Sequence, residues 1–206
     1  MNPMRRNLVI ALSLAPLALA WRGAFAQRNG NYIELNPPQP TESDGKIEVL
    51  EFFWYGCIHC YNLEPKLDTW LKTKPADVAF RRVPAVLSDR WGHDAAVFYT
   101  FEALGVLDKL HRPFFDAIHR DRLRSDNMQA LNAWLEKNGV DPKKFDATAR
   151  SFGVQSKVKR AIRLTSDYKV EGTPAMAVHG RYTIGASETM LDTVNQLVAN
   201  VRKNKQ

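Results

Sequence analysis

Two cysteines occur in the 206 residues, and they stand side by side in the stretch VLEFFWYGCIHCYNLEP: Cys57 and Cys60, separated by Ile58 and His59. A thiolate attacks a disulfide and a thiol does not, so exchange chemistry requires one sulfur with a lowered pKa. The start of a helix provides this, because its first N–H groups lack intrahelical partners and its dipole is positive there. VLEFFWY reads as a buried strand, Gly56 stops it, and Cys60, Leu63, Leu67, Trp70 and Leu71 then recur at helical spacing. Cys57 falls at that boundary, with fresh helix amides directed at its sulfur, and Cys60 lies one turn on, more buried but within bonding reach. The spacing assigns Cys57 to attack or be attacked and Cys60 to resolve the mixed disulfide. His59 adds an imidazole that can hydrogen-bond to the thiolate or, when charged, favour it further.

Other uses of the pair fit less well. As a structural staple a four-residue ring gains about 2 kcal/mol from loop entropy, against about 3 for fifteen residues. A zinc site needs further ligands, and His93, His111, His119 and His179 are scattered along the chain; no metal site and no cofactor beyond the Cys57–Cys60 disulfide is expected. Each unit by which the Cys57 pKa falls stabilises the reduced pair by about 1.4 kcal/mol at a pH above both values. For a two-electron couple that is roughly 30 mV towards a more oxidising disulfide.

The elements that must position the sulfurs follow from pattern. An edge strand at Tyr32–Leu35 and a strand within KIEVLEFFWY come first, then the helix carrying the cysteines. Inside that helix Pro65 must remove a backbone bond and kink the axis. Val78–Val83 is the next strand. From Ser88 the pattern turns helical, with Ser125 or Asp126 capping one helix and Gly139 ending it. Asp141 caps the next with Pro142 at its first position, and a basic helix runs over 154–167. TPAMAVHGRYTIG reads as two strands around a turn at His179–Gly180, and a last helix over 187–202 aligns Leu191, Val194, Leu197, Val198 and Val201. An α/β sheet interrupted by a helical insertion accounts for this order.

The N-terminus speaks to export. Arg5 and Arg6 precede the apolar NLVIALSLAPLALA, and AFA at 24–26 supplies the small residues a signal peptidase accepts, so residues 1–26 read as a signal peptide cleaved after Ala26. An uncleaved N-terminal anchor is the alternative. Removing three arginines and no acid lowers the formal charge from +7 to +4, an excess too mild to specify a partner. With 45% hydrophobic residues the remainder can bury a core without cross-links. Nothing supports nucleic-acid binding; the basic KVKRAIRLTSDYK reads as a solvated helix face.

The segment VLEFFWYGCIHCYNLE closely resembles the active-site segment of the DsbA-type thiol:disulfide oxidoreductases of the thioredoxin superfamily, and the likeness continues at KFDATARSF and VEGTPAMAVHGRY. The resemblance spans nearly the whole chain after the signal segment. It implies a thioredoxin-like fold with an inserted helical domain: 27–87 and 166–206 would form the two parts of the thioredoxin-like domain and 88–165 the insertion. It implies an oxidase of newly exported periplasmic proteins, reoxidised by a quinone-linked membrane partner of the DsbB type, with a monomer as the family default. Cys57 would match the exposed nucleophile, Cys60 its buried partner and His59 the histidine of the motif. Pro174 would be the cis-proline packed against the disulfide, preceded by Thr173, whose backbone can pair with an extended substrate chain. Trp54, Ile58 and Pro174 would receive substrate side chains. Glu51, beneath the site, would help move the proton that exchange releases, and Glu64, one turn after Cys60, would tune the local charge. Ile58 stands where the well-known motif has proline, and Thr173 where valine is frequent; both positions tune potential and partner choice.

Two other functions compete. A reductase or isomerase of the same fold would keep Cys57 reduced, and the short Gln27–Gly45 segment leaves no room for the dimerisation domain of the isomerases. A redox-silent, chaperone-like binding module would use the apolar groove without turnover and would survive replacement of Cys57 by Ala.

Overall fold

The computed structural model describes residues 27–29 and 32–204; the expected signal peptide and its cleavage point lie outside the described residues. Six strands form one sheet in the order β1-β2-β6-β5-β3-β4. They are β1 (Gln27–Asn29), β2 (Tyr32–Glu34), β3 (Ile47–Phe53), β4 (Val78–Pro84), β5 (Ala175–Val178) and β6 (Tyr182–Ile184). β3 lies between parallel β4 and antiparallel β5. With both neighbours and both faces covered, it is buried throughout, which is why its sequence reads as a nearly continuous apolar run. On one face Ile47, Val49, Met176 and Val178 pack with Leu67 and Trp70 of α1 (Ile58–Thr73) and with Val194, Leu197 and Val201 of α7 (Met190–Lys203).

The other face carries Leu50 and Phe52 and supports the helical block: α2 (Asp89–Ala103), α3 (Leu107–His119), α4 (Met128–Lys137), α5 (Pro142–Ala149) and α6 (Phe152–Asp167), all between β4 and β5. The fold is thus thioredoxin-like α/β with an inserted helical domain. Aromatic rings join the two parts. Phe53 meets Tyr55, Phe98, His111 and Phe115 with centroids 5.2–5.8 Å apart, mostly edge to face. The two ends of the insertion are tied where the Val86 amide donates to Thr165 Oγ1 at 3.1 Å. The charges of the basic helix α6 (Lys157, Lys159 and Arg163) face water, as its sequence suggests.

Several expectations shift. Tyr32–Glu34 is not the sheet edge, because β1 pairs outside it. α4 is capped by Asn127, whose side chain accepts from the Ala130 amide, and not by Ser125 or Asp126. Those two residues are otherwise engaged: Ser125 donates to Asp94, and Asp126 pairs with Arg90 and Arg124. α1 runs on through Pro65; the Tyr61 carbonyl that Pro65 cannot serve receives a long, 3.5 Å contact from Arg112 instead. α7 starts at Met190, three residues after the expected Ser187.

Candidate active site

Cys57 is the N-cap of α1, extended at φ −87° and ψ 114°, and its sulfur accepts from the Cys60 amide at 3.3 Å. No acidic residue stands in the first turn to oppose the dipole. Cys60 has no exposed surface, whereas Cys57 is half-buried; both are free thiols here. The Cys57 pKa is drawn down to about 5, first by the hydrogen bond of the Cys60 thiol; burial opposes this, and the Thr173 side chain and the Cys60 and His59 amides add to it. Burial, then the hydrogen bond to Cys57 and the charge on that sulfur, push the Cys60 thiol far up. One sulfur is a thiolate at neutral pH and its neighbour holds its proton.

Thr173 and Pro174, joined by a cis peptide bond, face the sulfurs, and the Cys57 thiol lies 3.3 Å from the Thr173 carbonyl. Pro174 separates two hollows. One, about 470 Å³, is lined by His59, Leu63, Lys66, Glu188 and Met190. The other, about 400 Å³, is lined by Tyr32, Glu171, Thr173 and Thr183. His59 is exposed at the rim, and what it directs at the sulfur is its backbone N–H. Ile58 is 47% exposed beside Cys57, a free apolar surface.

Trp54 is more enclosed than a substrate platform would be. Its indole stacks on Trp91 at 4.5 Å and 8° and donates to Asp94 Oδ2 at 2.7 Å. Its other side lies against Gly56, where an added Cβ would come within 2.3 Å of the ring. Gly56→Ala is therefore expected to force the indole out of its stack and cost about 1–3 kcal/mol, read by urea denaturation; unchanged stability would mean the ring can move aside freely.

Beneath the cysteine helix lies a charge cluster. Glu51, fully buried, is 3.0 Å from Arg82 Nε but outside hydrogen-bonding alignment, and Arg82 also reaches both oxygens of Glu64, at 3.3 and 3.1 Å. His111 Nε2 is 3.6 Å from Glu64, and its Nδ1 bonds the Tyr55 hydroxyl at 2.9 Å. Burial pushes the Glu51 pKa up to about 8 against the Arg82 charge, with Glu64 adding to the rise. Glu64 is buried as well, but the His111 hydrogen bond and Arg82 outweigh that burial and hold its pKa below the ordinary value.

The site thus brings Cys57, Cys60, Thr173 and Pro174 together, with Ile58 and His59 at the rim, Trp54 behind the turn, and Glu51 and Glu64 below. Arg82, His111, Tyr55, Asp94 and Trp91 are additions from the fold. Arg82 had one legible signal: it pairs in register with Glu51, two charges at matching places in apolar strands. Among the described residues no cluster of three or more His, Cys, Asp or Glu is placed to hold a metal.

A low-pKa thiol capping a helix, a shielded partner one turn on and a cis-proline loop against both define a thioredoxin-fold thiol:disulfide oxidoreductase, working through its cysteine pair. Residues 92–198 match the profile of the DSBA-like thioredoxin domain. The thiol:disulfide interchange protein DsbA of Bordetella parapertussis is 39% identical over 203 residues, 96% of this chain and 97% of that protein. The protein of the same name from Pseudomonas aeruginosa strain PAO1 is 36% identical over 205 residues, with 96% and 97% covered. Crystal structures of DsbA from P. aeruginosa and from Xylella fastidiosa superpose with TM-scores of 0.79 and 0.78, at 36% and 31% identity; the matches cover 85% and 84% of this chain and 94% and 96% of theirs. The chain belongs to the DsbA-like thioredoxin family.

Proposed function

We propose that the protein is a periplasmic oxidase that donates its Cys57–Cys60 disulfide to reduced, newly exported proteins. A client thiolate attacks the Cys57 sulfur; the S–S bond breaks, its electron pair leaves on Cys60, and Cys60 takes up a proton. Glu51 can supply that proton, since a carboxyl drawn up to about 8 is largely protonated at neutral pH. A second client thiolate then attacks the client sulfur of the mixed disulfide and expels Cys57 as a thiolate, leaving the client oxidised and the pair reduced. Reoxidation by a quinone-linked membrane partner of the DsbB type reverses the electron flow. An extended client backbone would pair at Thr173, with side chains over the two hollows beside Pro174 and over Ile58. Residues 88–165 cover the site as a domain inserted into the thioredoxin-like unit, and the protein acts as a monomer. Export rests on the signal-like segment 1–26.

The observation that carries the direction is the stabilised Cys57 thiolate. A drop from 9.0 to about 5 favours the reduced pair, and at pH 7, about two units below the unperturbed value, raises its potential by roughly 60 mV over an unperturbed pair. Equilibration with glutathione buffers is expected to give a potential well above thioredoxin's, about −270 mV, and nearer the about −120 mV of a strongly oxidising DsbA. A value close to thioredoxin's would make the protein a reductase or isomerase instead.

A further inference from the structure

The helical insertion contributes a buried carboxylate to the catalytic turn. Asp94, on α2, is 1% exposed, and each oxygen is engaged: Oδ2 by the Trp54 indole at 2.7 Å and Oδ1 by the Ser125 hydroxyl at 2.6 Å. Arg90 Nε stands 3.9 Å away, and His93, whose Nε2 is 2.8 Å from the Ser125 carbonyl, adds its own field. Such short bonds to a carboxylate are stiffer and more directional than neutral ones. Only Trp54, of the two partners, leads to the reaction centre. Its carbonyl accepts from the Cys57 amide at 3.0 Å, closing the turn that delivers Cys57 to the helix N-terminus. Its ring lies flat on Gly56 inside that turn, with Trp91 closing the outer side. The indole is a slab inside the turn, and Asp94 sets where the slab sits.

We propose that Asp94 is a positioning residue: by holding Trp54 against Gly56 it fixes the Trp54–Cys57 turn and so tunes the reactivity of the Cys57 sulfur. The bonds that reach that sulfur from the amides of His59 and Cys60 require Cys57 to sit squarely at the N-cap, and a loosened turn weakens them. The inference rests on the reading of Cys57 as the attacked sulfur.

The test is the thiolate absorbance of reduced protein near 240 nm, followed with pH in wild type, Asp94→Ala and Asp94→Asn. Asn can accept from Trp54 through its oxygen and donate to the amphoteric Ser125 hydroxyl, so it preserves the lock without the charge. The expected result is a Cys57 titration raised by about 0.5–1 unit in Asp94→Ala and not raised in Asp94→Asn. If both variants lower the midpoint together, Asp94 acts on Cys57 as a charge, and the proposal falls. If neither moves it, even with a loss of stability in Asp94→Ala, Asp94 is merely structural, and the proposal falls likewise. Should Asp94→Ala not fold, Trp54→Phe removes the same bond from its other end, and an unmoved midpoint there overturns the idea. A wild-type midpoint near that of an ordinary thiol would instead overturn the oxidase reading, so the two failures are separable.

Discussion

Alkylation of the reduced protein by iodoacetamide is expected to follow a single titration with its midpoint at about 5, where Cys57 ionises. An ordinary thiol, with a pKa of about 8.5, is only a few per cent thiolate at pH 7. Cys57 should already be at its plateau there. No second step should follow at higher pH, because Cys60 is buried and faces the charge of its neighbour. Cys60→Ala removes the largest contribution to the lowered value and should raise the midpoint by at least about one unit, whereas Cys60→Ser keeps an O–H donor and should stay closer to wild type. The same shift has a thermodynamic counterpart. The folded-state pKa is depressed, so its contribution to the reduced form is full above the unfolded value of about 9, still of order 2 kcal/mol at pH 7 after discounting the part of the sulfur that water reaches, and lost as pH falls through about 5. Urea unfolding of reduced against oxidised protein should therefore show the reduced form losing ground on acidification. A midpoint near 8 would remove the basis for an oxidising pair.

The second large effect is expected at Arg82. It is the cation between two carboxylates, Glu51 with no exposed surface and Glu64 with 2%. Arg82→Met should cost about 3–5 kcal/mol, the usual penalty for leaving a buried charge without its partner. Glu51→Leu should cost far less, or even stabilise, because Arg82 keeps Glu64. The pH dependence separates the two carboxylates. A folded pKa raised from 4.5 to about 8 gives Glu51 a favourable contribution below its unfolded value, lost as pH rises through about 8. Wild-type stability should therefore decline over that window, and Glu51→Leu should flatten the decline. Denaturation of the oxidised form from pH 4 to 9 measures both, and equal losses from Arg82→Met and Glu51→Leu would show that the cluster is not held by Arg82.

What the sequence made legible was local. Cys57, Gly56 and the helical recurrence after them sit within one strand-turn-helix, so periodicity alone locates the N-cap and its sulfur. Asp141 followed by Pro142 was likewise readable, because a cap and its first turn are neighbours in the chain. Ser125 misled for the opposite reason. Its composition says N-cap, but Asp94, brought beside it by packing, claims the hydroxyl and leaves the cap to Asn127. The setting of Glu64 was not legible because its companions come from different elements: Glu51 from β3, Arg82 from β4 and His111 from α3. Trp54 read as a substrate surface, since nothing in FFWYGC announces that Trp91 will cover it.

The sheet order described above also governs when a newly made molecule can act. β3, which ends just before the cysteines, has β4 as an early neighbour, but its other flank is filled by β5. The junction is illustrated by the His179 amide, which donates to the Glu48 carbonyl across a separation of 131 residues. Closing so long a loop is entropically slow compared with forming the helices inside it. Thr173 and Pro174 arrive on the same late segment. As the chain emerges from the ribosome, Cys57 therefore appears long before the loop that will face it. Until that segment is in place the chain is a pair of cysteines beside an unfinished sheet, closer to a client than to a catalyst, and its reaction centre is complete only when nearly the whole chain is available.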